Sequence, residues 1–82
     1  MENDLTAKPR LAISQWVIYD HPRDYPDKFV MRRWEIGRGL VMATDDMALA
    51  DTLEEARAQV PAGRYRLERE ADDDPVIVEM WL

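Results

Sequence analysis

The only histidine of the chain, His21, sits in the run Asp20-His21-Pro22-Arg23-Asp24-Tyr25-Pro26-Asp27, flanked by Tyr19 and Lys28. An imidazole beside a carboxylate is the pair from which general bases are built, because the carboxylate orients the ring and tunes its proton affinity near neutrality. His21, Asp20 and Asp24 are therefore the catalytic candidates, for proton transfer or hydrolysis. The run holds no serine or cysteine as a nucleophile, and a base, a nucleophile and an oxyanion donor cannot all be named from it. The plainer reading is a solvated loop whose aspartates bond to their own backbone.

Oxygen-ligated metal is the next chemistry to weigh. Asp72-Asp73-Asp74 and the trio Asp20, Asp24 and Asp27 carry the right atoms for Ca²⁺ or Mg²⁺. Neither has the alternating acids, central glycine and closing glutamate of a calcium loop. Without cysteine, and with a single histidine, a transition-metal site lacks ligands. The expectation is no metal and no cofactor. Gly37-Arg38-Gly39 lacks the further glycine and the lysine-hydroxyl pair of a phosphate loop.

Arg32, Arg33, Arg38, Arg64, Arg66 and Arg69, with Trp34 and Tyr65 between them, are the residue types that stack bases and grip phosphates. Glu35, Glu68, Glu70 and Glu79 are interleaved, however, and cross-strand Arg–Glu pairing is the ordinary outcome on a sheet. Seventeen acids against eleven bases, a formal charge of −6, also oppose phosphate binding in general. Nucleic acid is therefore the third-ranked partner, and only through a local patch of Arg32, Arg33, Arg66 and Trp34.

These residues must be positioned by one small domain, since 82 residues leave no room for a second. Residues 1–12 show no period and read as a flexible N-terminal arm, leaving a domain over 13–82. Ser14–Tyr19 reads as a central strand, apolar on both faces. The Pro-rich run follows as a loop, and Lys28–Ile36 as a second strand whose imperfect alternation suggests a bulge near Arg32. Met47–Ala50 reads as a short extra strand. Thr52-Leu53-Glu54-Glu55 is a capping box that opens a helix ended near Val60 by Pro61 and Gly63. Arg64–Arg69 alternates with Tyr65 and Leu67 inward. Val76–Leu82 is the clearest strand, with Ile77, Glu79 and Trp81 on one face.

The order β-β-(β)-α-β-β makes an α+β domain: a four-stranded, mostly antiparallel sheet with one short helix on one face. Trp16-Val17-Ile18-Tyr19 with the Pro22–Phe29 loop, Leu53-Glu54-Glu55-Ala56-Arg57 through Pro61, and Asp74-Pro75-Val76-Ile77-Val78-Glu79-Met80-Trp81 together resemble a family of small single-domain uncharacterised bacterial proteins. The resemblance implies a stand-alone bacterial domain over about residues 14–82, and no activity, cofactor or residue role.

One short helix covers only one face of such a sheet. Tyr19, Trp34, Ile77 and Trp81 are then expected on an uncovered face, where large apolar groups mark binding surfaces. The leading expectation is a protein-interaction or accessory module, binding a protein partner or a second copy; an enzyme or ligand-binding domain at the His21 loop is the alternative. The absence of cysteine points to a reducing compartment. With a polar N-terminus and no apolar run of the roughly 20 residues that a membrane helix needs, the chain reads as cytoplasmic.

Overall fold

Trp16-Val17-Ile18-Tyr19 is a run of bulky side chains that suits a strand buried on both sides, and it forms the middle of β1 (Ile13–Asp20). In the computed structural model, which describes residues 13–37 and 39–82, β1 is the central strand. The other elements are β2 (Phe29–Gly37), β3 (Leu40–Ala50), α1 (Leu53–Ala58), β4 (Arg66–Glu68) and β5 (Ile77–Trp81). They make one α+β domain whose antiparallel sheet has the order β3-β2-β1-β5-β4. The arm expected over residues 1–12 lies outside the described residues.

The sheet has five strands rather than the expected four. The apolar pieces Leu40–Ala43 and Met47–Ala50 belong to one 11-residue edge strand, β3, and the polar Thr44-Asp45-Asp46 between them is a bulge rather than a break. Arg32 faces Met47 and Trp34 faces Ala43, so three residues of β3 stand against Arg33 alone. The Thr44 hydroxyl donates to the Arg33 carbonyl at 2.7 Å, and the Asp46 amide donates to the Thr44 hydroxyl at 3.1 Å. The irregularity expected near Arg32 thus belongs to β3. Against β1, β2 keeps an unbroken register from Phe29 to Ile36.

Residues opposite one another in a ladder share a face, so the register sorts the side chains. Trp16, Ile18, Met31 and Ala50 lie on the face that α1 covers, and with Ala56 they form the core. Leu53 and Val60 pack on this cluster, as their helical spacing predicts. The chain leaves the β3 edge, crosses that face as α1 and returns at the opposite edge as β4. No second crossing covers the other side among the described residues.

At six residues, α1 is too short to persist without its cap and its docking. The Thr52 hydroxyl accepts from the Glu55 amide at 3.1 Å, as the capping box requires. The Glu55 carboxylate reaches back one residue further than expected, to the Asp51 amide at 3.0 Å. Thr52→Ala is expected to destabilise the domain by about 1 kcal/mol. In a chain of this size that lowers the melting temperature by about 4–8 °C, which thermal circular dichroism measures directly.

A second irregularity divides residues expected on one face. Ile18 pairs with Glu79 and Tyr19 with Ile77, leaving Val78 as an extra residue in β5. One inserted residue inverts the alternation. Ile77 consequently stays on the open side with Tyr19, while Trp81 pairs with Trp16 and packs on the core that α1 covers. Strand β4 also departs from expectation: Leu67 lies on the open side opposite Met80, and both Tyr65 and Leu67 are exposed rather than inward.

Candidate functional site

Ladder partners define the rows of the open face. Ile13, Ile36 and Val41 form one row, and Gln15, Trp34 and Ala43 the next. Then come Leu67, Met80, Val17, Arg32 and Met47, followed by Ile77, Tyr19, Val30 and Leu49. Charged residues make up 34% of the sequence, yet Arg32 is the single one in these rows. Four of the face's apolar members reach well into solvent, Ile13 at 53% exposed, Val41 at 63%, Leu49 at 45% and Leu67 at 39%, whereas Val17 and Val30 between them are buried.

The expected binding residues are therefore divided. Tyr19, Trp34 and Ile77 share the open face, and Trp81 does not. None of the three indoles is exposed: Trp16 is buried, and Trp34 and Trp81 are partly buried. Aliphatic side chains, more than aromatic ones, make the surface apolar. Sequence pattern alone did not single out Val41 and Leu49, because the polar Thr44-Asp45-Asp46 between them has the composition of a turn.

At the loop end of this face, Tyr19, Pro22, Asp24, Tyr25, Val30, Arg32 and Met47 line a pocket of about 210 Å³. The loop that supplies Pro22, Asp24 and Tyr25 is fixed by backbone bonds, from the His21 amide to the Lys28 carbonyl at 2.9 Å and from the Tyr25 amide to the Pro22 carbonyl at 2.9 Å. The Trp34 indole N–H donates to the Tyr19 hydroxyl at 2.9 Å. Burial, above all, raises the Tyr19 pKa above its ordinary 10.0, against the lowering influence of the Trp34 bond and of Arg32; Asp74 raises it further. Tyr19 is thus a neutral phenol at physiological pH, with its own proton left to donate.

Arg32 shows the strongest polar mismatch in the pocket. Its Nε is buried with no hydrogen-bond partner, and Nη2 meets only the thioether sulfur of Met47, at 3.0 Å. A buried donor without an acceptor is uncommon, since losing its water costs about 1–3 kcal/mol.

The catalytic candidates separate around this pocket. Asp24 lines it, but His21 and Asp20 do not. His21 adopts a left-handed backbone (φ 51°), bonds through Nδ1 to the Asp20 carboxylate, and sets its ring edge-on to Phe29 with centroids 5.0 Å apart. Phe29 packs on the α1-side core, so the imidazole belongs to the end of the covered face.

Among the described residues, no three His, Asp or Glu side chains converge as metal ligands. The Asp73 carboxylate accepts from the Glu70 amide at 2.7 Å and that of Asp74 from the Val76 amide at 3.1 Å, so both shape the turn before β5. The expected phosphate-gripping set is likewise dispersed. Arg33 is bound to Glu35 and Asp46, and Arg66 leans towards Glu68 and Glu79 on the covered side, while Arg32 and Trp34 occupy the open one. Arg38 lies outside the described residues.

The covered face has its own buried charge, which sequence pattern placed only loosely. Glu79 is 1% exposed. Its carboxylate accepts two bonds from the Arg57 guanidinium of α1, each 2.8 Å, and one from the Trp81 indole at 2.9 Å. Arg57 above all holds the Glu79 carboxyl below its ordinary 4.5, outweighing the opposing effect of burial. Every oxygen is engaged, so this is a clamp between α1 and β5 rather than a free reactive group. No helix among the described residues is long and apolar enough to cross a membrane. Comparison of the chain with protein-family models, curated proteins and solved structures finds no match.

Proposed function

We propose that this chain is a small protein-interaction module of the bacterial cytoplasm, binding through the side of its sheet turned away from α1, with a second copy of itself as the first partner. The observation that carries this is the near-absence of charge from four register-paired rows of a highly charged chain, together with the exposure of Val41, Leu49, Ile13 and Leu67 within them. Removing such aliphatic area from water is worth about 25 cal/mol per Å² before the costs of association. A two-fold interface lays the same patch on itself and covers both copies at once. The −6 charge of each copy lies largely off this face, so its repulsion is felt at long range and is screened by salt.

Sedimentation velocity from low-micromolar to near-millimolar concentration tests the reading. The wild-type chain is expected to shift from monomer towards dimer, more readily at high salt, whereas Leu49→Lys and Val41→Lys remain monomeric and folded. Affinity capture from cell lysate covers a different protein partner: the Leu49→Lys bait should lose what the wild-type bait retains. A chain that stays monomeric throughout, and whose variant captures the same proteins as the wild type, overturns the proposal.

A further inference from the structure

We infer that the pocket beneath the Pro22–Tyr25 loop is a binding site for a small monocarboxylate, whose anionic group is taken by Arg32 and Tyr19. Two donors point to an acceptor that the described residues do not supply. Arg32 Nη2 meets only the Met47 sulfur, at 3.0 Å, and the Tyr19 hydroxyl accepts from Trp34 and so retains its own proton for donation; Arg32 Nε, buried and without a partner, is an unmet donor behind them. Both residues line the same pocket. A guanidinium presents its N–H groups in a planar fork that matches the two oxygens of a carboxylate.

The remaining walls define the rest of the ligand. Val30, Met47, Pro22 and Tyr25 offer apolar and aromatic surface to a hydrocarbon or aryl body. At about 210 Å³ the space is smaller than the roughly 300–1,000 Å³ typical of sites for drug-sized ligands. A space of that size suits one short acid or the last residue of a polypeptide. Asp24 stands on the same wall and brings a negative charge, which penalises a phosphate dianion more than a monoanion. The site lies at one end of the open face and shares Tyr19, Val30, Arg32 and Met47 with it, so the titrations are run at concentrations where the chain is monomeric.

The same chemistry comes from two sources: a free small acid, or the C-terminal carboxylate of a polypeptide. Titration of the ¹⁵N-labelled full chain, followed by amide and indole resonances, separates them. Phenylacetate is expected to produce saturable shifts at Tyr19, Asp24, Tyr25, Arg32, Met47 and the Trp34 indole N–H. Phenylacetamide, the neutral isostere, and inorganic phosphate should leave these resonances in place.

Arg32→Met should weaken phenylacetate binding by about tenfold or more, the usual effect of losing a charged hydrogen bond. Its retained spectral dispersion elsewhere would show that it still folds. Tyr19→Phe should weaken binding by a smaller factor, and Asp24→Asn should tighten it. A short peptide ending in phenylalanine with a free carboxylate distinguishes the sources: binding tighter than phenylacetate, lost on C-terminal amidation, assigns a chain end, and weaker binding assigns a free acid. Equal shifts with phenylacetamide, an unchanged affinity in Arg32→Met, or no saturable shift with either carboxylate overturns the inference.

Discussion

Ile18→Ala is expected to destabilise the domain by about 3–4 kcal/mol, within the 2–5 kcal/mol range for truncating a buried isoleucine. Ile18 is fully buried on the central strand, where it pairs with Met31 on one side and Glu79 on the other and joins Ala56 of α1 in the core. Ladders on both sides of β1 hold the backbone here, so it has little freedom to close on the void. A domain of this size has a total stability of about 4–12 kcal/mol, so the loss removes a large part of it. Urea titration should show a lower midpoint at an unchanged slope. The milder Ile18→Val should lose about 0.5–1.5 kcal/mol. A midpoint unmoved by Ile18→Ala would mean that the core lies elsewhere.

Arg57→Met is the second large effect, expected at about 2–4 kcal/mol. The variant leaves the Glu79 carboxylate buried with the Trp81 indole and with Arg66, whose nearest nitrogen is 3.7 Å away, as its remaining partners. Removal of Glu79 instead should cost less, because the Arg57 side chain is 41% exposed and can turn to water. Replacing both by methionine should recover most of the loss, since a packed apolar pair often equals a buried ion pair.

The steepness of the pH dependence separates these cases. In the wild-type chain, the lowered Glu79 pKa contributes stability above the ordinary carboxylate value of 4.5, and this is lost as pH falls through the lower folded-state value. In Arg57→Met the largest lowering influence is gone and burial now opposes only the Trp81 bond and Arg66, so the folded-state pKa rises and the loss of stability towards acid is smaller. Chemical denaturation of both proteins between neutral pH and about pH 3 compares the two slopes. Parallel curves would remove Arg57 as the cause of the Glu79 shift.

The parts of the fold readable beforehand were those encoded locally. Thr52 and Glu55 announce the start of α1, Pro61 and Gly63 its end, and the doubly apolar Trp16–Tyr19 run the central strand. The elements that went astray depend on long-range pairing. Thr44-Asp45-Asp46 has the composition of a turn, and only the neighbouring β2 makes it a bulge within a strand. Val78 is an ordinary strand residue whose extra place in the ladder is visible only against β1, and that place decides where Trp81 points.

The candidate site divides in the same way. Tyr19, Trp34 and Asp24 were marked by type and position, and the loop beside them proved to form one wall of the pocket. Arg32 stood out among the arginines only as part of a phosphate-gripping set. Nothing in residue spacing distinguishes a guanidinium facing a cavity from one paired to glutamate, as Arg33 is to Glu35. His21, the most conspicuous residue by type, is held by Asp20 and Phe29 at the covered side.

The bulge in β3 also bears on what the sheet margin can template. Leu40, Val41 and Met42 are exposed on an outer strand of 11 residues, a length and composition that invite fibril seeding. Thr44 spends its hydroxyl inward on Arg33, and the acidic pair Asp45 and Asp46 stands where an incoming copy would have to continue its ladder. Two short docking windows remain in place of one long one, each too brief to nucleate a cross-β stack. The acidic kink thus serves as a gatekeeper on an otherwise greasy rim.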